Sequence, residues 1–491
     1  MRHVAVGAWQ DDAESYSANR HAVNLDGLVN RVGYRDSLSK GGDMGIAFFC
    51  NSTCIGGADL YMLQLLQELD NHGVAVTLLL KDSHPFAPYL QGLRNVRVYA
   101  KSRSALGEAE SVELRPAQPA CEQQAEAFDS NERSEWNSTN GVGEGGRRPQ
   151  AQVYVKQEPT TDLNKQAIVP QFLCVRIIMG ELREAWRWSR VMRREKFDIV
   201  HSFEGGSDPG IIAAALARVP HRAASYCVLP TLPVDARPGD FGRRILEWIS
   251  AWCAHVAITK SRSAKADWMR RLPRSRRWMR VIYNGMRVES LVPPPKDRLQ
   301  ALRRDFDCEG RPVIGMTARL HPMKGHAFLI EAIPSILKSV PDAVLLLVGD
   351  GELQEDLQAH CRRLGVADAV RFAGFRRDVL DLTWLYDVAV LPSVAYETFG
   401  WAVLEAMACG KPVVVSDFDG LPEVVEDGVT GTVVPPRDSP ALAEAIALLL
   451  RDPGVRDQYG RAGRKRVAER FSYDRMIAEH WLAWGLGKVT N

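Results

Sequence analysis

The chain has 491 residues, 46% of them hydrophobic and 25% charged, with 62 Lys and Arg against 60 Asp and Glu. That length suits two or three domains, and the composition excludes a disordered chain, a collagen and a disulfide miniprotein. No run of 18 apolar residues signals a transmembrane helix, the N-terminus lacks the apolar core of a secretory signal, and the nine cysteines form no CxxC pair, so a reduced, cytoplasmic protein is expected.

In chain order, residues 1–43 show no period and read as a poorly ordered N-terminal segment. A first α/β domain is expected over 44–290. It opens with the apolar run GIAFFCNS, a turn with Gly56-Gly57, the helical LYMLQLLQEL and the run VAVTLLL, a strand–turn–helix–strand unit. Residues 104–165, rich in Glu, Gln, Ser, Asn, Gly and Pro, read as a disordered insertion. A helical pattern follows over about 172–196, then strand FDIVHS, helix PGIIAAALA, strand RAASY, a helix near 241–252, and strands AHVAITK and VIYNG. Pro293-Pro294-Pro295 is a stiff spacer that marks the domain boundary.

The second domain, 291–475, alternates strands VIGMTAR, AVLLLVGD, VRFAGF, VAVLPS, PVVVSD and TVVPP with helices near 325–339, 352–364, 401–408 and 439–451. A last helix is expected over 476–491. The fold class is therefore α/β: two Rossmann-like domains facing across a cleft, with ligands at the C-terminal strand ends.

Two clusters could carry chemistry. In the first, a strand ends at Ser393, a loop carries Glu397 and Phe399-Gly400, and a helix opens near Gly400 and carries Glu405. Backbone N–H groups at such a helix start suit a phosphate, and Gly400 permits close approach. The two carboxylates either hold hydroxyl-rich parts of one ligand or serve the helix dipole and a solvated face. In the second, Arg319 and Lys324-Gly325 flank a turn after the first strand beyond the linker. Two cations there suit a departing diphosphate, or are two solvated surface charges. The Gly56-Gly57 pair alone is weak, and the absence of GxGxxG counts against a nicotinamide cofactor.

Glu397-x7-Glu405, Arg319 with Lys324-Gly325, Gly56-Gly57-Ala58-Asp59, Val281-Ile282-Tyr283-Asn284-Gly285, Val348-Gly349-Asp350-Gly351 and Gly420-Leu421-Pro422-Glu423 together resemble the retaining GT-B-fold glycosyltransferases of family 4, the glycosyl transferases of group 1. The resemblance spans about 44–100 and 172–480 and is strongest over 281–435. It implies transfer of a sugar from a nucleotide-diphosphate sugar to a saccharide or lipid-linked acceptor with retention, in cell-surface polysaccharide or glycolipid synthesis. By resemblance, Glu397 contacts the donor sugar, Glu405 holds the ribose, and Arg319 and Lys324 bind the diphosphate. Gly56, Gly57, Phe399, Gly400 and Leu404 complete the donor-binding positions, and Asn284 and Gly285 shape a hinge. Other readings on the same scaffold are sugar-nucleotide epimerisation, phosphorolysis, or a non-catalytic binding subunit.

Two departures stand out. Where many members carry a His after the strand His201-Ser202, this chain has Phe203. Before Leu421 the usual two glycines are Asp419-Gly420. Asp417-Phe418-Asp419 spells a DxD metal motif, but the resemblance implies no metal and no cofactor. Residues 165–290 carry 23 Lys and Arg against 11 Asp and Glu. With Trp186-Arg187-Trp188, Arg243-Arg244 and the Trp/Arg-rich 267–278, this segment suits an anionic membrane surface or is a set of solvated helix faces. A peripheral place on the inner membrane face follows from the first option, with no nucleic-acid partner expected.

Overall fold

The computed structural model describes residues 45–50, 57–80, 90, 93–101, 109–112, 169–203, 208–227, 240–272 and 278–486. The N-terminal segment 1–43, Gly56 and most of the expected insertion lie outside them.

The first sheet has eight strands: β1 (Ile46–Cys50), β2 (Val76–Leu80), β3 (Val96–Lys101), β4 (Ala109–Val112), β5 (Ile199–Ser202), β6 (His221–Tyr226), β7 (Val256–Thr259) and β8 (Met279–Val281). Their order is β4-β3-β2-β1-β5-β6-β7-β8. All neighbours are parallel except β3 and β4, which pair antiparallel with Val98 opposite Val112. β4 corrects the expectation of an insertion beginning at 104. Its four residues AESV have no apolar run, because an edge strand needs a partner backbone more than a buried face.

The second sheet comprises β9 (Val313–Thr317), β10 (Val344–Val348), β11 (Val370–Gly374), β12 (Val388–Leu391), β13 (Val413–Ser416) and β14 (Gly431–Val434). Its order is β11-β10-β9-β12-β13-β14, and every neighbouring pair is parallel. Counted from β9, that is the dinucleotide-fold order 3-2-1-4-5-6, whose direction reverses between β9 and β12. β10 and β13 are buried along their full length, as strands covered by helices on both faces must be.

The connecting helices His326–Ser339, Gln354–Leu364, Trp401–Ala408 and Ser439–Arg451 fall where the periodicity placed them. Three further helices, Arg262–Arg271, Lys296–Asp305 and Pro453–Arg470, carry so many charges that apolar spacing did not signal them. The last helix is Tyr473–Ala483, and it belongs to the other half of the molecule. Tyr473, Met476, Ile477 and Trp484 enter the apolar core with Phe48, Tyr61, Phe203 and Ile282 of the first domain. Burying the Trp484 side chain alone contributes about 2–3 kcal/mol.

The stretch VIYNG is a strand only as far as Val281. Gly285 must instead let the crossing helix pass. A Cβ there would lie 2.4 Å from the Ser472 carbonyl oxygen, and its N–H meets Met476 Sδ at 3.2 Å.

Candidate functional site

The loops after β9 and β12 meet at the point where the strand order reverses, which is where open α/β sheets hold ligands. Two close contacts fasten these loops together. The Val394 N–H donates to the Met323 carbonyl at 2.8 Å. Gly325 turns left-handed at φ 75° and presses on Pro392, whose carbonyl oxygen would be 2.0 Å from any Cβ. A side chain at 325 would therefore drive the loops apart.

The fastening brings Lys324 and Glu397 together. Lys324 Nζ donates to Glu397 Oε2 at 2.6 Å, and Ser393 Oγ donates to the same oxygen at 3.0 Å. Glu397 is buried, so its charge requires such partners. Its backbone is held as well. The Glu397 N–H donates to Asp419 Oδ2 at 3.1 Å, and the Gly420 N–H donates to the Glu397 carbonyl at 3.0 Å. Asp419 thus has a structural task, in a left-handed conformation at φ 47°. Burial chiefly, with the Glu397 charge, raises its carboxyl pKa, while the Glu397 N–H bond lowers it.

Glu405 sits one turn into the helix Trp401–Ala408 and accepts the Trp401 indole N–H at 2.7 Å. Burial pushes its carboxyl up to about 7, and the indole bond opposes the rise. Gly400, at φ 88°, begins this helix, and no side chain caps it. The left-handed φ favours glycine at 400, and a Cβ there would also push aside Leu421 Cδ2 at 2.5 Å. Phe399 packs its ring against Phe471 and Tyr283 in the core. Leu404 is wholly buried, and its N–H is spent on the Gly400 carbonyl at 3.2 Å. Its side chain underpins the loop from within the core.

Arg319 is exposed, on the loop after β9. Gly349 and Gly351 cradle its loop, since Cβ atoms there would strike the Ala318 and Leu320 carbonyls at 2.2 and 2.4 Å. Gly57 is the first residue of the helix Gly57–Asn71 at the C-terminal end of β1.

Sequence reasoning missed His326, which is buried and whose ring nitrogens have no hydrogen-bond partner among the described residues. Burial, and then the Lys324 charge, bring its pKa down to about 4, so it is neutral. It also missed Lys260, whose buried amine lies 3.0 Å from the Tyr61 ring centroid and is lowered by burial to about 7.

On the first domain, Phe203 is buried between Phe48 and Tyr61 and offers no proton acceptor. His201 is structural. The Trp484 Nε1–H donates to His201 Nδ1 at 3.2 Å, which leaves the ring proton on Nε2 for Ser225 Oγ at 2.8 Å. Burial, then the Lys260 charge, hold its pKa well below the usual histidine range.

Two tryptophans expected on a basic surface are in the core. Trp188 donates to Glu184 at 3.2 Å, and Trp268 packs edge-on against Tyr226. Arg271 is tied to Glu247 at 2.6 Å. Trp186, Arg187 and Arg243 of the expected surface are exposed, on the adjacent helices Val169–Glu195 and Asp240–Cys253, which share core residues Ala185, Trp188, Met192 and Leu246.

The family model for glycosyl transferases group 1 matches residues 300–466. Alpha-maltose-1-phosphate synthase of Mycobacterium tuberculosis is 30% identical over 301 residues, 56% of this chain and 74% of that protein. The chain belongs to the group 1 glycosyltransferase family. A phosphatidyl-myo-inositol mannosyltransferase of Mycobacterium leprae is 34% identical over 192 residues, covering 38% of this chain and 48% of the relative. An uncharacterised glycosyltransferase of Methanocaldococcus jannaschii is 34% identical over 238 residues, 48% of this chain and 60% of the relative. The chain thus spans about half the length of these last two relatives. Among solved structures, Anabaena HepE in complex with UDP and glucose superposes with a TM-score of 0.64 at 21% identity, over 90% of this chain and 99% of that one. Sucrose-phosphate synthase from Thermosynechococcus elongatus gives 0.62 at 20%, over 90% and 98%. The architecture is accordingly the GT-B fold of two Rossmann-like domains.

Proposed function

We propose that this protein transfers a sugar, with retention, from a nucleotide-diphosphate sugar to a saccharide or lipid-linked acceptor in polysaccharide or glycolipid synthesis. The observation that carries this reading is the Lys324–Glu397 pair at the reversal point of the second sheet. A diphosphate entering between Arg319, Lys324 and the uncapped helix start at Gly400 supplies the negative charge these groups suit. Glu397 then faces the sugar and Glu405 the ribose hydroxyls.

As the bond from the anomeric carbon to the diphosphate oxygen breaks, its electron pair leaves with the phosphate. Arg319 and Lys324 stabilise that charge. The acceptor oxygen bonds to the same face of the carbon and gives its proton to the departing phosphate. This route needs no base from the first domain, in keeping with Phe203 and the occupied His201. It needs no metal, and Asp419 is engaged with the Glu397 N–H. Incubation with a panel of labelled sugar nucleotides tests the reading. Release of diphosphate from one donor, unaffected by chelator, supports it, whereas inertness toward all of them contradicts it.

Glu405→Gln should raise the donor KM with little change in kcat, since ribose contacts are alike in ground and transition states. It has a second readout. Glu405 binds its proton more tightly folded than unfolded, so stability falls as pH rises from about 4.5 to about 7. Glu405→Gln removes that loss, and urea denaturation should show a gain on the order of 1–2 kcal/mol at pH 8 over pH 5, relative to wild type.

The basic segment is proposed to rest on an anionic membrane. Among the described residues no helix is long and apolar enough to cross one. Phe241, Trp248 and Trp252 nevertheless form an outward stripe at helical spacing, with Trp252 76% and Phe241 69% exposed. Val175, Met179 and Trp186 form a second stripe on the neighbouring helix. Every exposed charged residue described on the two helices is an arginine, among them Arg176, Arg183, Arg187 and Arg243. Aromatic and basic side chains together suit an anionic headgroup zone, at about 1 kcal/mol per cation. Phe241→Ser with Trp252→Ser should abolish co-sedimentation with phosphatidylserine vesicles and spare turnover on a soluble acceptor. Equal sedimentation of wild type with purely neutral vesicles contradicts the proposal.

A further inference from the structure

One carboxylate of the second domain is spent wholly on the first. Glu423 lies in the short helix Leu421–Val424. Its Oε2 accepts the Arg262 N–H at 2.9 Å and its Oε1 the Ser263 N–H at 2.8 Å. The Tyr283 hydroxyl donates to Oε2 at 2.8 Å. Arg262 and Ser263 are the first two residues of the helix Arg262–Arg271, and Ser261 caps the Ala264 N–H at 3.1 Å. A helix start leaves its first N–H groups without partners and carries a partial positive charge. Here that vacancy is filled by an acid 160 residues away, across the domain boundary.

The same acid is tied to the site by a short, stiff path. Between Glu423 and the Glu397 loop lie only Asp419, Gly420 and one helical turn. Asp419 and Gly420 clasp the Glu397 backbone from both sides, at 3.1 and 3.0 Å. Gly420 lies so near that a Cβ would sit 2.3 Å from the Thr398 carbonyl oxygen. Thr398 also reaches over the boundary, donating to the Cys227 carbonyl at 3.3 Å.

We infer that Glu423 is a positioning residue: its capture by the start of the helix Arg262–Arg271 latches the two domains together and fixes the Glu397 loop for transfer. Separation of the domains strips Glu423 of its Arg262 and Ser263 donors and Thr398 of its Cys227 acceptor, so the segment that clasps Glu397 loses its anchor on the first domain. The latch therefore makes the reactive arrangement conditional on closure. The coupling rests on the reading of Glu397 as the carboxylate that faces the donor sugar. The latch contact itself does not.

The test uses the full chain, as wild type, Glu423→Gln and Glu423→Ala, with two readouts. Amide hydrogen exchange without ligand reports the contact. Glu423→Ala should speed exchange at Arg262 and Ser263 by about tenfold or more while the amides around buried Trp268 keep their wild-type rate. Steady-state kinetics report the coupling. kcat should fall about tenfold with donor KM changed less than about threefold, and Glu423→Gln, which keeps one acceptor oxygen, should be intermediate. Wild-type exchange at 262–263 in Glu423→Ala overturns the latch. So does acceleration spread along the whole helix, which marks a merely structural role. A wild-type protein that turns over no sugar nucleotide overturns the transferase reading and with it the coupling, while the exchange readout still decides the contact.

Discussion

Glu397→Gln should lower kcat by about 10²-fold while donor KM changes by less than about threefold. The substitution preserves shape and the Ser393 hydrogen bond but removes the charge. Positive charge develops on the anomeric carbon only as the diphosphate leaves, so a carboxylate beside it is worth most in the transition state. The variant should fold normally. Its backbone clasp by Asp419 and Gly420 does not involve the side chain. Single-turnover rates on the active donor check the prediction, and full kcat in Glu397→Gln would remove Glu397 from the reacting centre.

Lys324→Ala should cost more, about 10²–10³-fold in kcat/KM, the range for loss of one donor to transition-state charge. Two effects add. The leaving diphosphate loses a cation, and buried Glu397 loses its ion-pair partner at 2.6 Å. The second effect separates this variant from Arg319→Ala. Arg319 is exposed and has no ion pair among the described residues, so its loss should reduce turnover without disturbing stability. Lys324→Ala should in addition lower the unfolding midpoint, because an unpaired buried carboxylate is costly. Equal melting of the two variants would show that the pair carries no folding energy.

The second domain was largely legible in the sequence for a plain reason. Its strands, such as VLLLV and VVVS, are buried on both faces, so they read as unbroken apolar runs between helices of regular period. Glu397 and Glu405 were legible because strand, loop and helix start follow one another within sixteen residues of chain. What escaped was set by contacts distant in sequence or by backbone alone. The edge strand Ala109–Val112 lies in a Glu-rich stretch and owes its form to pairing with β3. Pro453–Arg470 has too few apolar positions to show a stripe. The last helix gave no hint that it would cross to the first domain, since Trp484 finds His201 over 283 residues of chain. Trp188 and Trp268 illustrate the limit of composition. Beside arginines in sequence, they point inward, while Phe241 and Trp252 point out. Glu423 appeared in its motif as a mere neighbour of proline, because a helix start donating to it cannot be read from spacing.

The central claim is that the reversal point between β9 and β12 holds a nucleoside diphosphate. Calorimetric titration with UDP, GDP, ADP and dTDP tests it most directly, on wild type, Glu405→Ala and Lys324→Ala. One diphosphate should bind wild type with micromolar affinity, about −8 kcal/mol, and each variant at least tenfold more weakly. Undiminished binding by both variants, or no binding of any diphosphate by wild type, would contradict it.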